Sequence, residues 1–340
     1  MRKILIGLVI IISFLAGFFI RHFLPSSIKN EDVMSLPKPK PLEKYTIENL
    51  SKENIKQGRF KILESIKEEE SFTSYLFEFE FNPDLSGKQL KKTTGQINFP
   101  KSTETQFPIV VMFRGYVDQE LYKTGDGTKN AAKYFAENGF ITIASDFLGY
   151  GESDEEAGNI FESRFQTYVT VLSLIKSLDQ VPSWDKENLF LLGHSNGGQI
   201  ALTILEVTSA TYPTVLWAPV SKPFPYSILY YTDESEDRGK LIRKELAKFE
   251  NDYDVEKYSL ANYFDRINSP LQIHQGTNDD AVPVDWTDSL VKYLKTLNKD
   301  VTYYTYPGAD HNLRPDWNTA VSRDLEFFRK FDKNQLILEN

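Results

Sequence analysis

Residues Gly193-His194-Ser195-Asn196-Gly197 constrain this chain more than any other stretch. They follow a short apolar run, Leu189-Phe190-Leu191-Leu192, and precede a helix-like segment from Gln199 to Glu206. That order reads strand, tight turn, helix, with a serine at the tip of the turn. The flanking glycines let the backbone turn sharply and let neighbouring elements approach closely. The serine hydroxyl then stands clear of the sheet beside a helix N-terminus. Backbone N–H groups there are unpaired donors suited to a developing oxyanion.

A serine hydroxyl that attacks a carbonyl needs a general base, usually histidine, and the base needs an orienting carboxylate. The chain has only four histidines, so elimination works. His22 lies beside an N-terminal apolar segment, His194 should point away from Ser195, and His274 sits in an apolar run that reads as a buried strand. His311 follows Tyr306-Pro307-Gly308-Ala309-Asp310, a loop after the strand-like Val301 to Thr305. Loops at the C-terminal ends of parallel strands are where α/β enzymes place catalytic groups, so His311 is the candidate base. The carboxylate should lie between Ser195 and His311 in chain order. Asp279 in Gly276-Thr277-Asn278-Asp279-Asp280-Ala281-Val282-Pro283 comes first, Asp280 second and Asp310 third, since adjacent residues rarely face each other. The second oxyanion donor should come from Arg114-Gly115-Tyr116, which ends the strand-like Pro108 to Phe113. The Tyr116 and Asn196 N–H groups are the expected pair.

Parallel core strands are expected at Ile109–Phe113, Phe140–Ala144, Leu189–Leu192, Val215–Trp217, Leu271–His274 and Val301–Tyr306. Helices between them fit Lys129–Asn138, Phe161–Leu178, Gln199–Thr208, Asp285–Leu297 and Asn318–Phe331. From Tyr45 to Phe99 apolar and polar residues partly alternate, as in Tyr75-Leu76-Phe77-Glu78-Phe79-Glu80-Phe81, which predicts half-exposed antiparallel strands at one sheet edge. An insertion over 221–264 opens with Phe224, Tyr226, Tyr230 and Tyr231, then carries an acidic stretch and a helix over Gly239–Glu250. It is read as a cap over the serine, with those four aromatic residues lining a substrate pocket.

Ile4 to Ile20 is apolar and uncharged after Arg2 and Lys3. As a helix it would be about 26 Å long, enough to span a bilayer. The small residues of a cleavage site are lacking, so residues 1–24 are read as a transmembrane anchor, the alternative being a signal peptide removed on secretion. Residues 25–44, with Pro37-Lys38-Pro39-Lys40-Pro41, read as an extended spacer that holds an extracytoplasmic enzyme off the membrane. Residues 45–104 form the β extension and 105–335 the catalytic domain. A net charge of −9 argues against a nucleic-acid partner. The absence of cysteine excludes a thiol nucleophile and disulfides, and no cluster has metal-ligand spacing, so neither cofactor nor metal is expected. The sequence says nothing of oligomeric state.

With these motifs in view, roughly Phe107 to Phe331 resembles an α/β-hydrolase catalytic domain of the prolyl-oligopeptidase and dienelactone-hydrolase type. The resemblance rests on Arg114-Gly115-Tyr116, Asp146-Phe147-Leu148-Gly149-Tyr150-Gly151-Glu152-Ser153-Asp154, Gly193 to Gly198, Gly276 to Asp279 with Val282-Pro283, and Asp310-His311. It implies a mostly parallel central sheet with helices on both faces, N-terminal antiparallel strands and a small helical cap. It also implies a serine hydrolase that cleaves peptide or ester bonds, with Ser195, Asp279 and His311 as nucleophile, acid and base. An S9-like peptidase is the first expectation and a carboxylesterase or dienelactone-hydrolase-like esterase the second. Two departures stand out. Many relatives have histidine where this chain has Arg114, and the roughly 60 residues from Tyr45 to Ser102 are near one propeller blade in length, far short of a ring of four or more. A non-catalytic anchored binding protein on the same fold is the competing class, and dehalogenase chemistry would need aspartate in place of Ser195.

Overall fold

Val110 and Met112 pack on one side of their strand, while Ile109, Val111 and Phe113 pack on the other. A strand buried on both faces must lie inside a sheet covered by helices on both sides. In a computed structural model, which describes residues 39–334 except 233, 234 and 236, that is the arrangement found. Every element among the described residues lies in the compact unit that begins at Pro41.

Nine strands form one sheet: β1 Arg59–Glu68, β2 Phe72–Phe81, β3 Lys91–Pro100, β4 Phe107–Phe113, β5 Ile141–Ser145, β6 Trp184–His194, β7 Thr214–Trp217, β8 Leu271–Gly276 and β9 Val301–Tyr306. Their order is β1-β2-β3-β5-β4-β6-β7-β8-β9. β1, β2 and β3 pair antiparallel, and β3 joins β5 antiparallel. From β5 to β9 every pairing is parallel. The helices are α1 Ile47–Lys52, α2 Lys129–Glu137, α3 Ile160–Lys176, α4 Asn196–Thr208, α5 Tyr226–Leu229, α6 Lys240–Asp252, α7 Val284–Thr296 and α8 Trp317–Phe331. α2 and α8 pack with one face of the sheet, and α1, α3, α4 and α7 with the other. This is the α/β-hydrolase fold.

The alternation in β2 does what its period predicts. Phe77, Phe79 and Phe81 are buried while Glu78 and Glu80 face outward, pairing with Lys92 and Arg59. β6 begins at Trp184, five residues before its apolar run, because a polar segment extends it toward the sheet's N-terminal side.

In the 221–264 insertion, α6 buries Leu246 and Phe249, and Phe249 packs on Phe161 and Phe165 of α3. Leu241 is exposed. It stands one position before Ile242, about 100° around the helix from the row Ile242, Leu246 and Phe249. Asp237 accepts hydrogen bonds from the Gly239 and Leu241 amides and so caps the helix start. The apolar run at 4–20 lies outside the described residues. Among those described, no helix is long and apolar enough to cross a membrane.

Candidate active site

β6 ends at His194 and α4 begins at Asn196, so Ser195 alone makes the turn. Its backbone has φ 57° and ψ −118°, a conformation that costs a non-glycine residue about 1–3 kcal/mol. Neighbouring backbone holds it there: its N–H donates to the Trp217 carbonyl at 2.8 Å, and its carbonyl accepts from the Gly198 and Val220 amides at 3.0 Å. Glycine is required on both sides. A Cβ on Gly197 would lie 2.0 Å from the Phe113 carbonyl oxygen, and one on Gly193 would lie 2.4 Å from the Gly197 oxygen. Asn196 is the first helical residue, so its N–H has no acceptor within the helix.

β8 and β9 lie side by side and parallel, so the loops after them meet. His311 Nδ1 stands 2.9 Å from Asp279 Oδ2 and 3.0 Å from Oδ1. Asp279 is tied at every lone pair this loop can reach. Oδ1 accepts from the Ala281 and Val282 amides, and Oδ2 accepts from Gln275 Nε2 at 2.9 Å. Burial pushes the Asp279 carboxyl up, but the hydrogen bonds from His311 and the two amides outweigh it and hold the group below its ordinary range. An ionised Asp279 keeps the proton on His311 Nδ1, leaving Nε2 as a base. The His311 side chain is 16% exposed, open enough to meet a substrate. The other two carboxylates do different things. Asp280 is exposed, and Asp310 Oδ1 accepts the Asn312 and Arg314 amides, shaping the turn that carries His311.

His194 points away from the serine but not into idle space. Its Nε2 lies 2.9 Å from the His311 carbonyl oxygen, and the two rings are 4.6 Å apart. A carbonyl only accepts, so Nε2 carries the proton. Burial, with the neighbouring His311, pushes its pKa down to about 4 and keeps it neutral. Behind the strand ends lies a second buried set that motif reading missed. Asp324 on α8 accepts from Trp217 Nε1 and Gln272 Nε2, each at 2.9 Å, and lies 2.8 Å from His274 Nε2. His274 Nδ1 meets the Tyr306 hydroxyl at 2.7 Å. Asp324 thus ties β7 to β8, and His274 ties β8 to β9, the strands that brace Ser195 and carry Asp279 and His311. The cue in sequence was a lone aspartate in an amphipathic helix.

The Arg114-Gly115-Tyr116 loop reaches the serine from β4. A Cβ on Gly115 would sit 3.1 Å from Ser195 Cβ. Arg114 is buried, with its guanidinium 4.0 Å from the Tyr150 ring centre and 4.6 Å from that of Tyr122. It donates to the Gly115 and Asp146 carbonyls and so fastens this loop to the Asp146–Asp154 motif. Asp146 in turn accepts from Thr94, Tyr122 and Thr124, each at 2.7 Å. Tyr116 is 77% exposed, its side chain turned to solvent.

A cavity of about 290 Å³ opens beside Tyr116 and Asn196 and runs along α3. A second, of about 540 Å³, lies between α2 and the start of α8, with His194 and Trp217 in its wall. Neither is lined by Phe224, Tyr226, Tyr230 or Tyr231. Phe224 is 2% exposed and packs among Phe161, Phe165, Phe249 and Tyr258, joining the cap to α3. The three tyrosines gather around Trp286, and the Tyr231 hydroxyl donates to the Ala281 carbonyl next to the Asp279 loop. Among the described residues no three His, Asp or Glu side chains form a metal cluster.

A serine on a strained strand-to-helix turn, a histidine–carboxylate pair on the next loops and a glycine loop against the serine define a hydrolase of the α/β class. The chain belongs to the prolyl oligopeptidase family, whose model matches residues 127–335. It is 25% identical over 283 residues to dipeptidyl aminopeptidase BIII of Pseudoxanthomonas mexicana, covering 74% of this chain and 40% of that protein. It is also 25% identical over 177 residues to the acetyl esterase Axe7A of Xylanibacter ruminicola, covering 44% of this chain and 38% of that one. The chain therefore spans about two fifths of the length of these relatives. In structure it resembles acetyl xylan esterase 1 from Thermoanaerobacterium sp., with a TM-score of 0.59 and 17% identity over 86% of this chain and 95% of that one.

Proposed function

We propose that this serine hydrolase works through an acyl-enzyme on Ser195. The observation that carries this reading is the hydrogen bond from His311 Nδ1 to the fully tied Asp279, two loops from a serine held at positive φ. His311 Nε2 takes the Ser195 proton as the hydroxyl attacks a carbonyl, and returns it to the leaving group. Asp279 fixes the tautomer and stabilises the imidazolium. The Asn196 and Tyr116 N–H groups receive the oxyanion. Water then attacks the acyl-enzyme by the same route and frees the acid.

Peptide or amide bonds are the first reading of the substrate, supported by the family the chain belongs to. Ester bonds are the second, favoured by the small cavity beside Asn196 and Tyr116. The purified chain should be labelled by a fluorophosphonate on Ser195, and Ser195→Ala should not be. Equal labelling of the variant would refute the assignment. Turnover of matched acyl anilides and acyl esters then separates the two substrate readings. From the apolar run at 4–20, we further propose an anchored enzyme facing outward. Recovery of Lys3-containing peptides from the membrane-extracted protein supports it, and a mature start near Ser26 would overturn it.

A further inference from the structure

The cavity beside Tyr116 and Asn196 holds a charge that the proposed chemistry does not use. Arg164, on α3, lines it, and among the described residues the one partner of its guanidinium is the neutral Gln199 Oε1 at 2.6 Å. Among the described residues no carboxylate lies within 4.0 Å of it. Gln199 is itself buried on α4, so it fixes the guanidinium without neutralising it. Arg114 touches the same cavity, but two of its donors are spent on the Gly115 and Asp146 carbonyls and its plane lies against two tyrosine faces, while its buried Nε makes no hydrogen bond. Glu156 also lines the cavity, yet it is exposed and accepts a hydrogen bond from the Ser163 hydroxyl. The N-terminal end of α4, at Asn196, adds its own positive potential on the same side.

What fills this cavity must be attached to the carbonyl rather than to the leaving group. The cavity opens off Asn196 and Tyr116, the residues read as flanking the carbonyl oxygen. No residue of the Asp279 or His311 loops lines it, whereas a leaving group must sit against the imidazole that protonates it. The volume, about 290 Å³, is at the small end of ligand sites, so the acyl chain is short. A guanidinium with donors unspent is a carboxylate fork.

Resting on the serine-hydrolase reading, we infer that Arg164 selects substrates whose acyl group ends in a carboxylate. Two sources share that chemistry: the half-ester of a short dicarboxylic acid, and a peptide with glutamate or aspartate on the acyl side of the cleaved bond.

The test compares kcat/KM within each form of the enzyme, so that the ratio is independent of the fraction folded. One arm pairs p-nitrophenyl hemisuccinate with p-nitrophenyl butyrate. The other pairs N-acetyl-glutamyl with N-acetyl-glutaminyl p-nitroanilide. The wild-type chain should favour the anionic member of at least one pair by about tenfold or more, the range of a charge-assisted hydrogen bond. The arm that shows the preference identifies the source. Arg164→Gln should bring the ratio to about one, Arg164→Glu should invert it, and Arg164→Lys should retain part of it. A wild-type ratio near one in both arms, or a preference that persists in Arg164→Gln, overturns the inference. A preference that follows charge on the leaving group instead also overturns it. Should the wild-type chain turn over none of these compounds and resist a fluorophosphonate, the hydrolase reading falls and takes this one with it. Turnover without anion preference removes only the role of Arg164.

Discussion

His194 couples the stability of this protein to pH through a shift whose cause is visible. In the unfolded chain its imidazole titrates near 6.5, and in the folded protein burial beside His311 depresses it to about 4. Between those values the unfolded chain binds a proton that the native ring refuses. Stability therefore falls as pH drops through this window and is fully recovered above it. At 1.36 kcal/mol per unit, the whole shift corresponds to about 3 kcal/mol. The ring is partly exposed at the wall of the larger cavity, and solvent screening reduces this to about 1–2 kcal/mol. Replacement by asparagine keeps a donor that can reach the His311 carbonyl and removes the titration. Urea unfolding of both forms from pH 4.5 to 7 isolates the effect, because every other titrating group is shared. The stability of wild type relative to His194→Asn should fall by about 1–2 kcal/mol on going from pH 7 to 4.5. A difference that stays flat to within about 0.3 kcal/mol, or rises on acidification, would show that His194 is not held neutral by its surroundings.

Asp279→Asn should cut kcat by about 10³–10⁴-fold with little change in KM, whereas Asp280→Asn should stay within a few-fold, since only Asp279 bonds His311; steady-state kinetics on one activated ester decides it. Asp324→Ala should cost about 3 kcal/mol or more, because it strands the buried Trp217 and Gln272 donors without their acceptor, and denaturant unfolding would measure it. Gly197→Ala should fail to give folded, fluorophosphonate-reactive protein, since its methyl would lie 2.0 Å from the Phe113 oxygen; normal labelling would mean the turn yields more than close packing allows.

Much of the architecture can be read along the chain because its signals are local. Runs such as Ile109 to Phe113 are apolar at every position, which only a strand covered on both faces tolerates, and Phe77, Phe79 and Phe81 alternate with charges, as a strand buried on one face only must. The turn at Ser195 is legible because glycines on both sides report contacts that no side chain could survive. Element ends are less legible. β6 starts among polar residues at Trp184, and α4 starts at Asn196 rather than Gln199, since hydrogen bonding and not apolar period sets an end.

Composition and order along the chain were enough to name a serine, one accessible histidine and three carboxylates that could orient it. Choosing among Asp279, Asp280 and Asp310 by contact needed the tertiary structure. Asp279 and its neighbour Asp280 differ in direction, Asp310 lies on the next loop, and direction depends on which amides and side chains close around each group. The same holds for the aromatic residues of the insertion: Phe224 joins the core through α3, while Tyr226, Tyr230 and Tyr231 gather on Trp286 from a helix sixty residues away. Arg164 gave no signal at all in sequence, being one charge on an amphipathic helix. Its meaning comes from a neutral partner and a cavity, both made of residues distant in the chain, and long-range packing alone decides which partner a half-buried charge meets.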